Sequence, residues 1–248
     1  MPAETLRVLI VDDEALARRG LRRDLAALEG IDVVGESADG FEAVKAAAEL
    51  KPDLVLLDIR MPRLDGFEVL SLLDPGIAVV FVTAHDDRAV QAFDANAVDY
   101  VMKPVDPERL ARAVERARER RRRREPMPVA AIGAAARPPG EPLGRILVRD
   151  GARVHVIPMD DVDCVEAQDD YIAVHAGGRA HLKQQTIGEL EAALDPRRFV
   201  RIHRSWILNI DRLDRIELYA KDSRVAILKD GRRLPLSRAG NLRLRELL

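Results

Sequence analysis

Residues 6–13 read LRVLIVDD, an apolar run that ends in two aspartates. Such a run predicts a strand that is buried on both faces of a parallel sheet. Residues 14–28 then place leucines at helical spacing, and the same change from strand to helix recurs along the chain. Further strands are predicted over 33–34, 54–57, 77–82 and 100–102, and further helices over 40–50, 67–73, 87–96 and 107–123. Five strands alternating with five helices predict a doubly wound α/β domain with a five-stranded parallel sheet.

The sequence changes character after a run of five arginines at residues 120–124. Residues 125–144 contain five prolines and three glycines, a composition typical of a linker. We therefore predict a first domain over 1–124, a linker over 125–143 and a second domain over 144–248.

The second domain is predicted to be smaller and mainly β, because its apolar runs are short and turn signals separate them. The predicted strands cover 145–148, 153–157, 162–166, 171–175, 180–182, 199–203, 207–209, 216–219, 224–228 and 233–236. One clear helix is predicted over 186–194, where Thr186 and Glu189 suit a capping box.

Composition excludes several classes of protein. The chain has 248 residues, and its one cysteine, Cys164, excludes a disulfide framework and a cysteine-based zinc or redox motif. No apolar run approaches the ~18 residues that a membrane span needs. The first residues do not resemble a signal peptide. We therefore expect a cytoplasmic protein with no membrane partner.

Charge is distributed unevenly along the chain. Residues 1–118 hold 15 Lys/Arg against 23 Asp/Glu, whereas residues 197–248 hold 14 against 6, a net charge of +8. A basic block of this kind suggests contact with a polyanion such as nucleic acid. A solvated basic surface is the alternative interpretation.

Polar residues follow the predicted strands of the first domain. Asp12, Asp13 and Asp58 end two strands, and three carboxylates that converge there would repel one another unless a cation neutralised them. Mg²⁺ is a fitting cation because it prefers oxygen ligands and leaves room for a phosphate. Thr83 and Lys103 follow the next two strands and would suit the oxygens of a phosphoryl group. The alternative for any single aspartate is a helix cap or a turn.

Four motifs of this domain resemble the receiver domain of two-component response regulators, a flavodoxin-like fold. They are VDDE at 11–14, LLDIRMPRLDG at 56–66, VTA at 82–84 and YVMKP at 100–104. The resemblance implies that Asp58 accepts a phosphoryl group from the phosphohistidine of a sensor histidine kinase. It also implies that the chain catalyses only its own phosphoryl transfer and dephosphorylation and is not otherwise an enzyme.

The same resemblance assigns further roles. Asp13, Asp58 and the backbone carbonyl of Arg60 would bind Mg²⁺, with Asp12 acting mainly through water. Lys103 would pair with the phosphoryl group, and its peptide bond to Pro104 would be cis. Thr83 would donate a hydrogen bond to the phosphoryl group, and Tyr100 would be the aromatic switch residue that moves inward with it. The positions of Arg60 and His85 are those where the family varies its dephosphorylation rate.

Two stretches of the second domain combine basic and amide side chains: FVRIHRSWILN at 199–209 and LPLSRAGNLRLREL at 234–247. Arginine and asparagine are the side chains that read guanine and adenine bidentately. The predicted helix over 186–194 has no basic residue, so it is a poor candidate for the major groove.

These stretches resemble the LytTR family of DNA-binding domains, as does EAQDDY at 166–171. The resemblance implies an all-β fold whose loops enter successive major grooves of double-stranded DNA. The predicted DNA-contact residues are Arg201, His203, Arg204, Ser205, Arg238, Asn241 and Tyr171, with Asp170 an alternative to Tyr171. We expect Trp206 to be buried. Arg201 has the alternative of a solvated strand residue, and Asn209 that of a turn residue.

We therefore predict a phosphorylation-controlled transcription regulator that binds promoter repeats as a homodimer. The dimer would use the face made by helix 87–96, strand 100–102 and helix 107–123. Its apolar stripe would be Leu110, Ala113, Val114 and Ala117, flanked by Arg109, Arg112, Glu115 and Arg116 and opposed by Asp86, Asp87 and Asp94. The alternative is that these apolar residues only face the sheet. A receiver that controls RNA or protein binding is the second functional reading, and an enzyme is the third.

Overall fold

The computed structural model describes residues 5–84, 97–123, 142–220 and 223–248. The described residues up to 123, together with 149–154, form one compact unit, and those from 142 to 148 and from 155 onward form the other. The predicted linker over 125–143 lies almost wholly outside the described residues, so its bounds stay a prediction. Within the described ranges no helix combines the length and the apolar composition needed to cross a membrane.

The first unit is built on a five-stranded parallel sheet in the order β2-β1-β3-β4-β5, which confirms the predicted fold class. Its strands are β1 (Leu6–Val11), β2 (Ile31–Ser37), β3 (Leu54–Leu57), β4 (Ala78–Thr83) and β5 (Asp99–Met102). The described helices are α1 (Ala15–Ala26), α2 (Gly40–Leu50), α3 (Gly66–Leu70) and α4 (Pro107–Arg123). The helix predicted over 87–96 lies outside the described residues.

Apolar side chains on both faces of this sheet are buried. Val8 and Ile10 of β1 share one core with Leu25 of α1 and Leu110 of α4. Strands β1 and β3 are neighbours in this parallel sheet and are buried on both faces. The polar residues that follow them therefore lie close together at the carboxyl ends of the strands.

Helix α3 is shorter than the predicted span of 67–73. It begins at Gly66, because the Asp65 carboxylate accepts a hydrogen bond from the Glu68 N–H at 2.8 Å. The Glu68 carboxylate accepts from the Asp65 N–H at 3.0 Å, which completes a capping box.

The second unit is mainly β, as predicted, and contains an antiparallel five-stranded sheet in the order β10-β9-β8-β12-β11. A three-stranded sheet has the order β13-β14-β15, and β6 pairs with β7. The strands are β6 (Arg145–Asp150), β7 (Arg153–Pro158), β8 (Val162–Gln168), β9 (Tyr171–Ala176), β10 (Arg179–Gln184), β11 (Phe199–His203), β12 (Trp206–Asn209), β13 (Leu213–Ala220), β14 (Ser223–Leu228) and β15 (Arg233–Leu236).

Two helices accompany these strands, α5 (Ile187–Glu191) and α6 (Arg238–Arg245). The prediction of a helix over 186–194 was right in place and too long. No helix was predicted after residue 194, so α6 is an addition to the predicted elements. Only Gly240 and Leu244 of α6 are buried, so it shows no apolar stripe that would reveal it. Ser237 is its N-cap, accepting a hydrogen bond from the Gly240 N–H at 3.0 Å.

Helix α6 is held directly against β11. The Ser237 N–H and hydroxyl both donate to the Ile202 carbonyl, each at 2.9 Å. A Cβ added at Gly240 would lie 1.9 Å from the same oxygen. Only glycine therefore allows this close approach of helix and strand.

Candidate functional site

Three carboxylates converge at the carboxyl ends of β1 and β3. Val11 lies opposite Leu57 in the parallel register, so Asp12 and Asp58 follow at the same level. One carboxylate oxygen from each of Asp12, Asp13 and Asp58 lies within 4.8 Å of the others. We call these three residues the acidic cluster. Asp12 and Asp58 are buried, whereas Asp13 is exposed.

Lys103 brings a positive charge to the acidic cluster from the end of β5. Its Nζ lies 2.7 Å from Asp58 Oδ2 and 2.8 Å from Asp12 Oδ2. The backbone that carries it is fixed, since the Lys103 N–H donates to the Thr83 carbonyl at 2.8 Å. The peptide bond between Lys103 and Pro104 is cis, as the resemblance implied.

In the acidic cluster, the ammonium group of Lys103 lies between the carboxylates of Asp12 and Asp58. Burial raises the pKa of Asp12, and the nearby Asp58 charge adds to this, although Lys103 partly opposes it. Burial alone would lower the pKa of Lys103, but its hydrogen bonds to Asp12 and Asp58 outweigh burial, so its pKa is raised. Lys103 therefore stays cationic, and the excess negative charge favours a further cation.

Thr83 ends β4 beside this arrangement. It is fully buried, and its hydroxyl has no hydrogen-bond partner among the described residues. A buried hydroxyl without a partner costs about 1–3 kcal/mol, which an acceptor oxygen entering the site would relieve. Tyr100 is buried in β5, where it lies opposite Phe81 of β4.

The loop after β3 approaches itself closely around Asp58. The Gly66 N–H donates to the Ile59 carbonyl at 2.8 Å, and a Cβ at Gly66 would lie 2.4 Å from the Asp58 carbonyl oxygen. The Arg60 N–H lies 3.3 Å from Asp58 Oδ1, and the Arg60 side chain is exposed. This geometry explains the glycine that follows Asp65 in the motif.

The second unit contains an open groove of about 490 Å³. Its lining residues are Glu191, Arg201, His203, Arg204, Ser237 and Arg243. We call this the basic groove. It brings together the turn between β11 and β12 and the start of α6, which are the two stretches that the sequence singled out.

Three predicted contact residues form the turn at one side of the groove. The Ser205 N–H lies 3.3 Å from His203 Nδ1, so this ring nitrogen accepts, and the Ser205 hydroxyl lies 2.8 Å from the same atom. Arg204 is exposed at the turn. The Arg201 Nε donates to the His203 carbonyl at 2.9 Å, and a second bond joins its Nη2 to the Arg204 carbonyl. Arg201 is thus partly buried and bonded rather than a solvated strand residue.

Ser205 and the remaining predicted contact residues do not line the groove. Arg238 is the exposed first residue of α6, not a loop residue as expected. Asn241 accepts a hydrogen bond from Arg224 Nη1 at 3.2 Å. Tyr171 begins β9 and is exposed, and Asp170 is exposed just before it.

Trp206 differs from its expected burial, and Asn209 has a structural role. Trp206 is only half-buried, because it lies beside the turn and its ring stacks on His175 with centroids 5.8 Å apart. Asn209 is fully buried and structural: its amide donates to the Val162 carbonyl at 2.7 Å and its side-chain oxygen accepts from the Asp211 N–H at 3.0 Å.

The apolar stripe expected at a dimer face is not exposed. Leu110, Ala113, Val114 and Ala117 all belong to the core of the first unit, so the alternative that they face the sheet is correct. Of the flanking charges, Arg109 and Arg116 pair with the buried Asp99. Asp86, Asp87 and Asp94, which were expected opposite this face, lie outside the described residues, as does His85.

Sequence reasoning missed two residues of the groove, Glu191 and Arg243. Glu191 ends α5, and Arg243 lies on the unpredicted helix α6, where their charged groups are 3.7 Å apart. A correct helix over 238–245 would have placed Arg243 on the face that carries Gly240.

Comparisons with known proteins agree with both units. Residues 8–115 match the response regulator receiver domain, and residues 152–248 match the LytTr DNA-binding domain. The transcriptional regulatory protein BtsR of Salmonella typhi is 33% identical over 237 residues, covering 94% of this chain and 95% of that protein. A response regulatory protein of Vibrio cholerae is 34% identical over 245 residues, with 98% of each chain covered.

Among solved structures, the chain is similar to the signal receiver domain of a modulated diguanylate cyclase from Desulfovibrio desulfuricans. The two are 37% identical, with 49% of this chain and 100% of that chain covered and a TM-score of 0.45. The match of the second unit is to a DNA-binding domain, which favours DNA over the RNA and protein alternatives. The chain belongs to the response regulators that join a receiver domain to a LytTr DNA-binding domain and regulate transcription.

Proposed function

We propose that Asp58 accepts a phosphoryl group from a sensor histidine kinase and that this controls sequence-specific binding to promoter DNA. The observation that carries the proposal is the ion pair of Lys103 with both Asp12 and Asp58 at the carboxyl ends of the strands. Asp58 lies at the carboxyl end of β3, next to a cation that can balance the charge of the product.

The acidic cluster fits Mg²⁺, because its three carboxylates are close together and Lys103 balances only part of their charge. Asp13, Asp58 and the backbone carbonyl of Arg60 would hold the ion, and Asp12 would act mainly through water. Bound there, Mg²⁺ supplies positive charge that neutralises the oxygens of the transferring phosphoryl group.

The side chains divide the transfer between them. An oxygen of the Asp58 carboxylate attacks phosphorus while the P–N bond of the phosphohistidine breaks, and the electron pair of that bond stays on the imidazole. Lys103 Nζ pairs with the new phosphoryl group. The Thr83 hydroxyl donates to a phosphoryl oxygen and so gains a partner, since none lies among the described residues. Tyr100, which is already buried here, would be the switch residue that changes its packing with Thr83, which gives two states with different contacts.

The output is binding to double-stranded DNA. His203, Arg204 and Ser205 contact DNA from the turn, Arg201 lies beneath them, and Arg238 and Asn241 approach from α6. Tyr171 lies at the start of β9 as a third contact. Arg201, His203 and Arg204 are supported by the basic groove, in which four of the six lining side chains are arginine or histidine.

Phosphorylation promotes a homodimer that occupies paired promoter repeats, since two-fold symmetry of a protein suits repeated half-sites. The protein works in the cytoplasm, where both kinase and promoter are accessible. Apart from phosphoryl transfer to itself and its reversal, the chain catalyses no reaction.

The first experiment treats the full chain with a small phosphodonor and Mg²⁺ and measures phosphoprotein by intact mass. We expect Asp58→Asn to abolish the phosphorylated species and Asp13→Ala to reduce it through loss of Mg²⁺. The matched control is Asp32→Asn, an exposed aspartate of β2 away from the cluster. Wild-type yield from Asp58→Asn would refute the assignment. A phosphorylated wild type that stays a monomer by native mass and has unchanged affinity for promoter duplex would refute the proposed control of dimerisation and DNA binding.

A further inference from the structure

One acidic residue lies among the basic side chains of the groove. The carboxylate of Glu191 places Oε2 2.7 Å from Arg201 Nη1 and Oε1 3.7 Å from Arg243 Nη1. Each of its two oxygens therefore faces a different arginine. Its side chain is 40% exposed, so solvent and large ligands can reach it.

The guanidinium group of Arg201 bonds the turn on one side and the Glu191 carboxylate on the other. Its Nε and Nη2 are bonded to the carbonyls of His203 and Arg204 in the turn. Its Nη1 is bonded to Glu191. Carboxylate and phosphate oxygens are alternative acceptors for the same guanidinium donors. Glu191 thus occupies a position at Arg201 that a phosphate oxygen could take.

We propose that Glu191 is an internal counter-ion that competes with DNA phosphates for Arg201 and Arg243 and thereby weakens binding of any polyanion to the groove. The inference rests on the proposed DNA-binding role of the groove and deepens it. It also adds Arg243 to the phosphate contacts, a residue that the sequence did not single out.

The competition follows from charge. A phosphate that enters the groove must displace the carboxylate from Arg201, and the displaced carboxylate remains nearby as a like charge. Removing the negative charge frees cationic groups for phosphates. Each additional phosphate neutralised makes the slope of log affinity against log salt more negative by about 0.9. The effect does not depend on base sequence, because phosphates carry no sequence information.

The test compares the full-length wild type with Glu191→Gln, which keeps the shape of the side chain and removes its charge. The control is Glu246→Gln, an exposed glutamate that does not line the groove. Elution from heparin, a sulfated polyanion, needs no operator. Affinities for specific and scrambled duplexes are then measured at several salt concentrations. Glu191→Ala is the second variant.

We expect Glu191→Gln to elute from heparin at higher salt and to bind both duplexes about three- to fivefold more tightly at low salt, with a steeper salt slope. Glu246→Gln should change each value less. Equal or earlier elution of both Glu191 variants, at wild-type thermal stability, would overturn the inference and assign Glu191 to positioning Arg201. If the wild type binds heparin but prefers no duplex, sequence-specific DNA binding fails and the heparin comparison still decides the role of Glu191.

Discussion

The two units use charge in opposite ways. At the acidic cluster and at Asp99 of the first unit, charged groups are withdrawn from solvent and paired: the side chain of Asp12 is 1% exposed, that of Asp99 is 0% exposed, and that of Lys103 is 16% exposed. In the second, the groove presents charge outward, with Arg243 47% exposed. Desolvation makes a few charges act strongly at one fixed point. Solvent and salt weaken the interactions of exposed charges, so these charges can exchange one partner for another, which suits binding of a long polyanion.

The largest effect is expected when the buried ion pair of Asp99 is broken and the result is compared with the loss of an exposed ion pair in the second unit. Burial would raise the pKa of Asp99, but hydrogen bonds from Arg109 and from the Tyr100 N–H, with the charge of Arg116, lower it, so this carboxylate stays charged inside the unit. We expect Arg109→Ala to cost about 3–5 kcal/mol of unfolding free energy, because a buried charge loses its main partner. The measurement is urea unfolding of the full chain.

The matched control is Arg198→Ala in the second unit. Arg198 pairs with Asp160 and Asp211, whose side chains are 82% and 59% exposed, so its loss should cost under about 1 kcal/mol. Similar losses for the two variants would remove the distinction between buried and exposed charge.

The next effect concerns how the basic groove is supported. Gly240→Ala should destabilise the second unit by about 2–3 kcal/mol, because the new Cβ overlaps the Ile202 carbonyl and forces α6 away from β11. Affinity for promoter duplex should fall with it, while phosphorylation of Asp58 is retained.

Gly188→Ala is the control for this variant. Gly188 is also helical, but a Cβ there meets no atom within 4 Å, so the change should be neutral or stabilising. Thermal unfolding and duplex binding of both variants are compared. Equal stability of the two would show that α6 can dock without the close approach.

The smallest effect separates two exposed arginines. Arg238→Ala should cost about 1–3 kcal/mol for the specific duplex and relax preference at one base position, as expected of a base-reading side chain. Arg204→Ala should behave as a mixture, with part of its loss shared by all sequences and a shallower salt slope. Affinities for specific and scrambled duplexes over a salt series distinguish the two. Wild-type binding by both variants at every salt concentration would contradict the DNA-contact assignment.

The sequence predicted the acidic cluster well because parallel strands place their carboxyl ends at one edge. Once strands 6–11 and 54–57 were recognised, the approach of Asp12 to Asp58 followed from topology. The lengths of short helices did not follow, since capping by Asp65 and the turn after Leu70 decide them locally.

The basic groove was predicted only in part. His203 to Ser205 were assigned through the resemblance to the LytTR family. The pairing of Glu191 with Arg243 depends on how α5 and α6 pack, which no local pattern contains. Helix α6 itself was missed because an N-cap serine and a buried glycine are weaker signals than an apolar stripe.

The shared carbonyl of Ile202 has a consequence for how the second unit opens. Ile202 accepts both hydrogen bonds that hold α6, and it directly precedes His203 at the start of the turn. Lifting α6 would break both hydrogen bonds from Ser237 to this carbonyl, so we expect the helix and the turn to open together. Because the turn lines one part of the groove and α6 another, the groove would then form or be lost as a whole.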